Sequence, residues 1–377
     1  MKILVDMVEV SMDRLHASIP IYLMRFISAI KPEDRIYYTL LVRKDMEDFF
    51  RSSFPDFKLL FYHGMGYRWY FWRNPLYYYS CYKLRRIIQR YHFNVVFIAT
   101  DQPVYTLFKF KCRKVVVIHD LKGLKWNNNI KSALCSLSLK RLYEKSIQTA
   151  DAVIAISKYT KQDIRIYYPK VEENKIHVIY NSVTLADKAV KPVGFAESKY
   201  ILFVNTLQCY KNIATVVRAY CLINREIDNK LIIVGKKTRY WEEQIMPYIR
   251  SCNMVNRIIQ LQHLTDEELR YLYENASLFV TSSLNEGFGY TPIEAAMCKC
   301  PVICSIQEAL PDVTQGLLNY YQPAMDTEAL ADKMIQVLKN PPSAGELNRI
   351  AETYASLYSP AKQTGLIQNL LIGDVIL

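Results

Sequence analysis

The sequence predicts an α/β protein of two domains, each built on a doubly wound parallel sheet, and three observations predict it. Short β-branched runs recur along the 377 residues, each followed by a stretch of helical character. Most of these runs are continuously apolar rather than alternating, as strands covered by helices on both faces must be. The series is interrupted at residues 183–199, a polar, irregular stretch containing Pro192 and Gly194. That break divides the chain into two pieces, each long enough to bury its own core.

In order, the first domain (1–184) takes its strands from MKILVDM at its start, then NVVFIAT, RKVVVIHD, DAVIAIS and KIHVIYNS. A linker (185–199) follows. The second domain (200–355) takes YILFVNT, KLIIVG, NRIIQLQ, ASLFVTSS and CPVICS. Among the helices, Asn74 and Pro75 are good residues for an N-cap and a first helical position. Tyr77, Cys81, Leu84, Ile88 and Tyr91 would then share one face, with Lys83, Arg86 and Arg90 opposite. Thr291, Pro292 and Glu294 fit the N-cap, first and third positions of another helix, a capping box.

Composition narrows the function. With 51% hydrophobic and 22% charged residues the chain is a folded one, and its net charge of +12 favours anionic partners. Nucleotide phosphates, an anionic membrane surface and nucleic acid all qualify. No nucleic-acid recognition module is visible, so nucleic acid is not expected. Asp6 and Glu9 interrupt the first apolar stretch, which excludes a signal peptide there. No apolar run reaches the ~18 residues of a membrane span. A cytoplasmic protein with reduced cysteines is expected. Cys298, Cys300 and Cys304 have no neighbouring histidine or second pair to complete a metal site, and read as small packing residues.

The stretch NEGFGYTPIEAAMCKCPVIC (285–304) concentrates the chemistry. The chain has only 11 glycines, yet Gly287 and Gly289 lie between Glu286 and Glu294, just ahead of a helix. In a strand-to-helix loop, glycines let backbone N–H groups approach a ligand, and the helix N-terminus favours an anion. An ordinary structural loop fits the spacing equally well, and the capping box alone explains Glu294. His119 ends a strand and precedes an acid; Asp120 suits a cap for the following loop. Ser157 suits a helix cap, and so does Asn212 after Lys211. Gly235 ends a strand where the chain can pass close to a ligand.

These motifs together resemble the retaining glycosyltransferases of the GT-B fold, specifically glycosyltransferase family 4. The carriers are Glu286-Gly287-Phe288-Gly289, Pro292, Glu294-Ala295 and Pro301-Val302-Ile303, with VVVIHDL, ADAVIAISKYTKQDI, IHVIYNSV, YILFVNTLQCYKNI and LIIVGKK in order before them. The likeness runs from about residue 113 to 340. It implies two Rossmann-like domains facing a cleft, with a C-terminal helix (356–377) returning to the first. It implies that Glu294 holds the ribose of a nucleotide-sugar and that Glu286 contacts the donor sugar near the reacting carbon. Gly287 and the backbone of Phe288, Gly289, Tyr290 and Thr291 would line sugar and phosphate, as would Gly235. Lys211 would neutralise the leaving diphosphate, and His119, from the acceptor-binding first domain, would hold the donor sugar. The chain has no Asp-x-Asp pair of the kind that holds a divalent metal in the other common glycosyltransferase fold, so no metal and no cofactor are expected.

The sequence also departs from the pattern. The loop after the first strand lacks its usual glycines, and Asn205, Ser182 and Lys299 stand at usual glycine positions, while Tyr210 replaces a basic residue. The segment Tyr67, Arg68, Trp69, Tyr70, Phe71, Trp72, Arg73 interleaves rings and cations, suiting an anionic membrane surface or acceptor sugars. The expected function is therefore transfer of a hexosyl or deoxyhexosyl group, mannosyl or rhamnosyl among the options, to a glycan or lipid-linked acceptor of a cell-surface polysaccharide. The alternatives are a degenerate binding subunit and a sugar-nucleotide epimerase.

Overall fold

The computed structural model describes residues 1–15, 17–63, 75–100, 111–125 and 130–373, with the side chains of 75–78, 80–81 and 130–138 left aside. The aromatic segment 67–73 lies outside the described residues. The chain divides into two compact units, Met1–Ser182 with Pro360–Leu377, and Val183–Ser359.

The first unit is built on a seven-stranded sheet: β1 (Ile3–Asp6), β2 (Tyr38–Arg43), β3 (Lys58–Tyr62), β4 (Val95–Ile98), β5 (Arg113–Ile118), β6 (Ala152–Ala155) and β7 (Ile176–Val178), in the order β3-β2-β1-β4-β5-β6-β7. The second has six: β8 (Tyr200–Val204), β9 (Lys230–Val234), β10 (Ile258–Leu261), β11 (Leu278–Thr281), β12 (Val302–Ser305) and β13 (Asn319–Tyr321), in the order β10-β9-β8-β11-β12-β13. Every pairing is parallel. This is why β1, β4, β6, β8, β11 and β12 are buried at every residue: helices cover both faces. In each sheet the winding reverses beside the first strand, between β1 and β4 and between β8 and β11. Such switch points open a crevice at the strands' carboxyl ends, where ligands of doubly wound sheets bind.

All ten strands read from the sequence are present. β2, β3 and β13 were not read from the sequence: Thr39 and Arg43 interrupt or end β2, β13 is a three-residue strand beginning with Asn319, and β3, although it holds the apolar run LLFY, is an edge strand whose residues are mostly partly exposed. The stretch 185–199 packs on the second unit rather than spanning freely. Val190 donates its N–H to Glu267 O at 3.0 Å, and Phe195 meets Tyr200 edge-on at 5.4 Å. The helix Pro360–Ile372 belongs to the first unit, where Leu370 O accepts from Arg113 Nε at 3.2 Å. Residues 356–359 stay with the second unit, with Tyr358 O accepting from Val183 N at 2.9 Å. In the helix Pro75–Tyr91, Leu84 and Ile88 face the core, but Tyr91, at the helix end, is 44% exposed rather than on the buried face.

Candidate functional site

The switch point of the second sheet is closed by two loops, one after β8 and one after β11, and hydrogen bonds tie them to each other. Leu284 donates its N–H to Tyr210 O at 2.9 Å. Ser282 Oγ donates to Asn212 O at 2.9 Å and to Lys211 O at 3.2 Å, and Asn212 Nδ2 returns a bond to Ser282 O at 3.2 Å. Asn212 itself sits at φ 56°, a left-handed conformation that asparagine tolerates. It stands at the N-cap of the helix Ile213–Ile223, as its place in the sequence suggested. Its side chain, however, does not cap the helix: Oδ1 accepts from Thr215 Oγ1 and Nδ2 also reaches Ala324 O.

This stitching presents Lys211 and Glu286 to each other. Lys211 Nζ lies 2.5 Å from Glu286 Oε1, across 75 residues of sequence, with both side chains about nine-tenths buried at 10% and 12% exposure. The family resemblance implies separate tasks for the two residues; the structure makes them an ion pair. Tyr210, where a second cation was absent, places its ring 5.3 Å from the same ammonium. A desolvated ion pair holds its geometry only when the surrounding groups are fixed. The inter-loop hydrogen bonds supply that rigidity.

The glycine turn comes next. Gly289 has φ 88°, and a Cβ there would stand 2.6 Å from Leu310 Cδ2, so both backbone conformation and space call for glycine. It is Gly289, not Thr291, that occupies the N-cap of the helix Tyr290–Met297, and no side chain caps that helix. The expected capping box is therefore absent: the helix begins one residue before Thr291, which puts Glu294 beyond reach of a capping role. Glu294 Oε2 instead accepts a hydrogen bond from Tyr273 Oη at 3.1 Å. Tyr273 is buried, and its phenol is pushed well above the usual range, first by desolvation and then by the Glu294 carboxylate. Phe288 is buried against Tyr358, ring centroids 5.5 Å apart, which leaves its backbone rather than its ring to face a ligand.

Gly235 has a packing explanation. A Cβ at this position would lie 2.0 Å from the carbonyl oxygen of Asn205. Its N–H donates to Leu261 O at 3.1 Å, and its carbonyl accepts from Gln260 Nε2. Lys299, at a usual glycine position, has φ 61°, the conformation that makes glycine common there. Cys298, Cys300 and Cys304 are buried free thiols, and desolvation raises all three, Cys298 to about 12.

His119 belongs to the first unit, at the end of β5. It is 7% exposed, its Nε2 lies 3.3 Å from Ala99 O just beyond β4, and Tyr22 meets its ring edge-on at 5.1 Å. A carbonyl can only accept, so Nε2 carries the proton and Nδ1 is left as an acceptor. Burial lowers the His119 pKa to about 4, and the Ala99 bond and Asp120 only partly oppose it, so the ring is neutral at pH 7. Asp120 Oδ1 accepts from Lys122 N at 3.0 Å and Ser157 Oγ from Thr160 N at 3.1 Å, the two loop and helix caps read from the sequence. The glycine-free loop after β1 is filled by buried Met7, Val8 and Val10, with Glu9 paired to Arg14 at 2.8 Å.

Sequence reasoning missed Tyr273, Asn285 and Glu308. Asn285 directly precedes Glu286 but does not stand out by type, while Tyr273 and Glu308 reach the signature residues only through the packing of a neighbouring helix and of the loop after β12. Among the described residues, no three His, Cys, Asp or Glu side chains gather as a metal site.

Two family models match the chain in succession: Glycosyltransferase Family 4 over residues 37–187 and Glycosyl transferases group 1 over 187–355. The chain is 28% identical over 210 residues to O-antigen chain mannosyltransferase B of Escherichia coli, covering 53% of this chain and 55% of that one. It is 26% identical over 234 residues to O-antigen chain mannosyltransferase RfbU of Salmonella typhimurium, covering 61% and 62%. The chain thus spans less than two thirds of the length of these curated relatives. Among solved structures, a glycosyltransferase from Rickettsia africae superimposes with a TM-score of 0.74 at 17% identity, covering 98% of this chain and 97% of that one. Anabaena Alr3699/HepE in complex with UDP-glucose superimposes with a TM-score of 0.72 at 15% identity, covering 98% and 99%. At such identities the likeness establishes the two-domain GT-B fold.

Proposed function

Because this chain belongs to the glycosyltransferases of group 1 and family 4, we propose that it transfers a hexosyl or deoxyhexosyl group from a nucleotide-sugar to a glycan or lipid-linked acceptor in polysaccharide biosynthesis. Retention of the anomeric configuration is part of the proposal. The observation that carries it is the Lys211–Glu286 pair at the switch point of the second sheet. A degenerate binding subunit has no need of a desolvated ion pair held by two stitched loops. The O-antigen mannosyltransferases among the relatives favour a mannosyl group, and the UDP-glucose of the HepE complex favours a nucleoside diphosphate donor.

In this reading Glu294, oriented by Tyr273, binds the ribose hydroxyls. The Gly287–Thr291 backbone lines the sugar and phosphate at a helix N-terminus, where partial positive charge favours an anion. The arriving diphosphate draws Lys211 away from Glu286. As the bond from the sugar's anomeric carbon to the diphosphate oxygen breaks, charge grows on the leaving group. Lys211 is then worth more in the transition state than in the ground state, the condition for lowering the barrier. The acceptor oxygen bonds to the anomeric carbon on the face the diphosphate leaves, and its proton passes to the departing phosphate. Glu286, released from the ion pair, stands beside the sugar. Neutral His119 offers Nδ1 to a sugar hydroxyl. Lys211 and the helix N-terminus supply the positive charge, so no metal is required.

Membrane contact belongs to the same proposal. No described helix is long and apolar enough to cross a membrane. The helix Pro75–Tyr91 instead exposes Tyr79 and Tyr82, with Lys83 Nζ 4.7 Å from the first ring and Arg86 Cζ 5.7 Å from the second. Such pairs suit an anionic headgroup layer. Replacing Trp69, Phe71 and Trp72 by serine should reduce sedimentation with anionic vesicles; unchanged sedimentation would remove membrane docking from the proposal.

The deciding experiment is thermal stabilisation of the purified protein by a panel of nucleoside diphosphates and nucleotide-sugars, with and without a chelator. One donor should raise Tm selectively and the chelator should not matter. No shift with any donor would leave a binding-only protein. Donor turnover in the absence of acceptor would point to an epimerase.

A further inference from the structure

The loop after β12 touches the signature loop after β11 at three successive points. Ser305 Oγ donates to Ser283 O at 3.0 Å. Glu308 then turns its carboxylate back across the gap: Oε1 accepts from Asn285 Nδ2 at 3.0 Å, and Oε2 accepts from the backbone N–H of Glu286 at 2.9 Å. Finally Leu310 packs beside Gly289, its Cδ2 2.6 Å from where a Cβ would stand.

The middle contact is the unusual one. Glu308 has φ 48°, a conformation that costs a residue with a Cβ about 1–2 kcal/mol. An unbranched charged residue persists there only where its surroundings over-determine it, and such strain gathers at working sites. Both oxygens of Glu308 accept from the Asn285–Glu286 segment. The orientation of the Asn285 amide follows from this, since its oxygen would repel the carboxylate. Asn285 is 3% exposed, and its Oδ1 points elsewhere without a partner.

We propose that Glu308 is a positioning residue: it clamps the peptide nitrogen of Glu286 and so sets where that carboxylate meets Lys211 and, in turn, the donor sugar. The inference rests on the proposed glycosyl transfer and assigns Glu308 no contact with substrate. It also explains why a glutamate, and not a glycine, occupies a left-handed position in this loop. Its two hydrogen bonds outweigh the backbone strain.

Two substitutions separate clamp from charge. Glu308→Gly relieves the strained φ and removes the clamp. Tm should stay near that of the native chain, while kcat falls about 10- to 100-fold, the effect of a reacting group displaced by roughly an ångström. The KM for the donor should change far less. Glu308→Gln removes the charge but keeps the geometry. Its amide oxygen accepts from Glu286 N–H, and its NH2 donates to Asn285 once that amide turns its partnerless Oδ1 inward, so kcat should be nearly native. The same clamp predicts slow hydrogen exchange of the Glu286 amide in the unliganded native chain and in Glu308→Gln, and fast exchange in Glu308→Gly. Native-like turnover of Glu308→Gly, equal losses in both variants, or fast Glu286 exchange in the native chain would each overturn the proposal. Should Glu308→Gly not fold, Glu308→Gln and the native amide decide alone. Absence of transfer by the native chain with every donor would sink the functional reading, while amide exchange would still test the clamp.

Discussion

The two sheets wind their strands in the same sense around their switch points, yet what stands at the two crevices differs in kind. Beyond β8 and β11 there is charge: an ammonium and a carboxylate in contact, on loops fixed to each other by backbone and serine hydrogen bonds. Among the described residues beyond β1, β4 and β5 the acids at the strand ends are committed to local hydrogen bonds, Asp6 to Val8 N and Asp120 to Lys122 N. The imidazole of His119 is neutral, the β1 loop is packed with apolar side chains, and Glu9 is already neutralised by Arg14. One topology therefore carries an electrostatic site and a neutral, hydrogen-bonding one. The winding settles where a ligand can bind; the loops settle which ligand chemistry is served. A phosphate-bearing donor fits the first kind of crevice and an uncharged sugar surface the second.

Lys211→Ala tests this division most severely. Loss of a charge-stabilising group at a leaving oxygen should cut kcat by about 10²- to 10³-fold, while donor affinity falls much less. Steady-state kinetics together with calorimetric donor binding would measure both. Equal losses in the two quantities would mean that Lys211 merely holds the donor, and the second crevice would lose its catalytic distinction from the first.

The neutral crevice is tested by acid. His119 has its pKa lowered to about 4 in the folded chain, against 6.5 for the free group. Between those values the unfolded chain binds more protons, so stability is fully present above about pH 6.5 and falls as pH drops toward 4. A shift of this size corresponds to roughly 3 kcal/mol. Thermal unfolding of the native chain and of His119→Gln between pH 7 and 4 should diverge in slope, with the variant losing less. Parallel curves would show that the imidazole is charged in the fold, and the contrast between the two crevices would collapse.

Much of this arrangement was legible in the sequence, and the reasons are local. Central parallel strands announce themselves because burial on both faces demands an unbroken apolar run, as in VVVI or YILFV. Edge strands such as β3 and β13 carry no such demand. Glu286, Gly289, Lys211 and His119 were named through the family resemblance of the motifs around them, since their types and spacing alone fit ordinary structural loops equally well. The cap of the helix Tyr290–Met297 was misread because threonine and glutamate at capping-box spacing look alike whether the helix starts at residue 290 or 292. Only the left-handed Gly289 decides it. That Gly235 packs against Asn205, and that Glu308 and Tyr273 touch the signature residues, depends on contacts between segments far apart in the chain. Tyr273 and Glu294, for instance, meet only because the helices Asp266–Asn275 and Tyr290–Met297 pack on one another.

That last contact offers the finest test of how the charged crevice is organised. Glu294→Gln should weaken nucleoside diphosphate binding with little change in Tm, because the expected capping box is absent. Tyr273→Phe leaves the carboxylate in place but removes the hydroxyl that orients it. Its effect on nucleotide affinity should be smaller, about 1 kcal/mol or a fivefold rise in Kd, the scale of a single hydrogen bond. In the double variant the two losses should not add, since the phenol acts through the carboxylate. Titration calorimetry on the four proteins gives the coupling directly. Strict additivity, or a Tyr273→Phe variant that loses stability while binding nucleotide normally, would make the tyrosine a core residue that happens to touch Glu294. The ordering of the second crevice would then end at its loops.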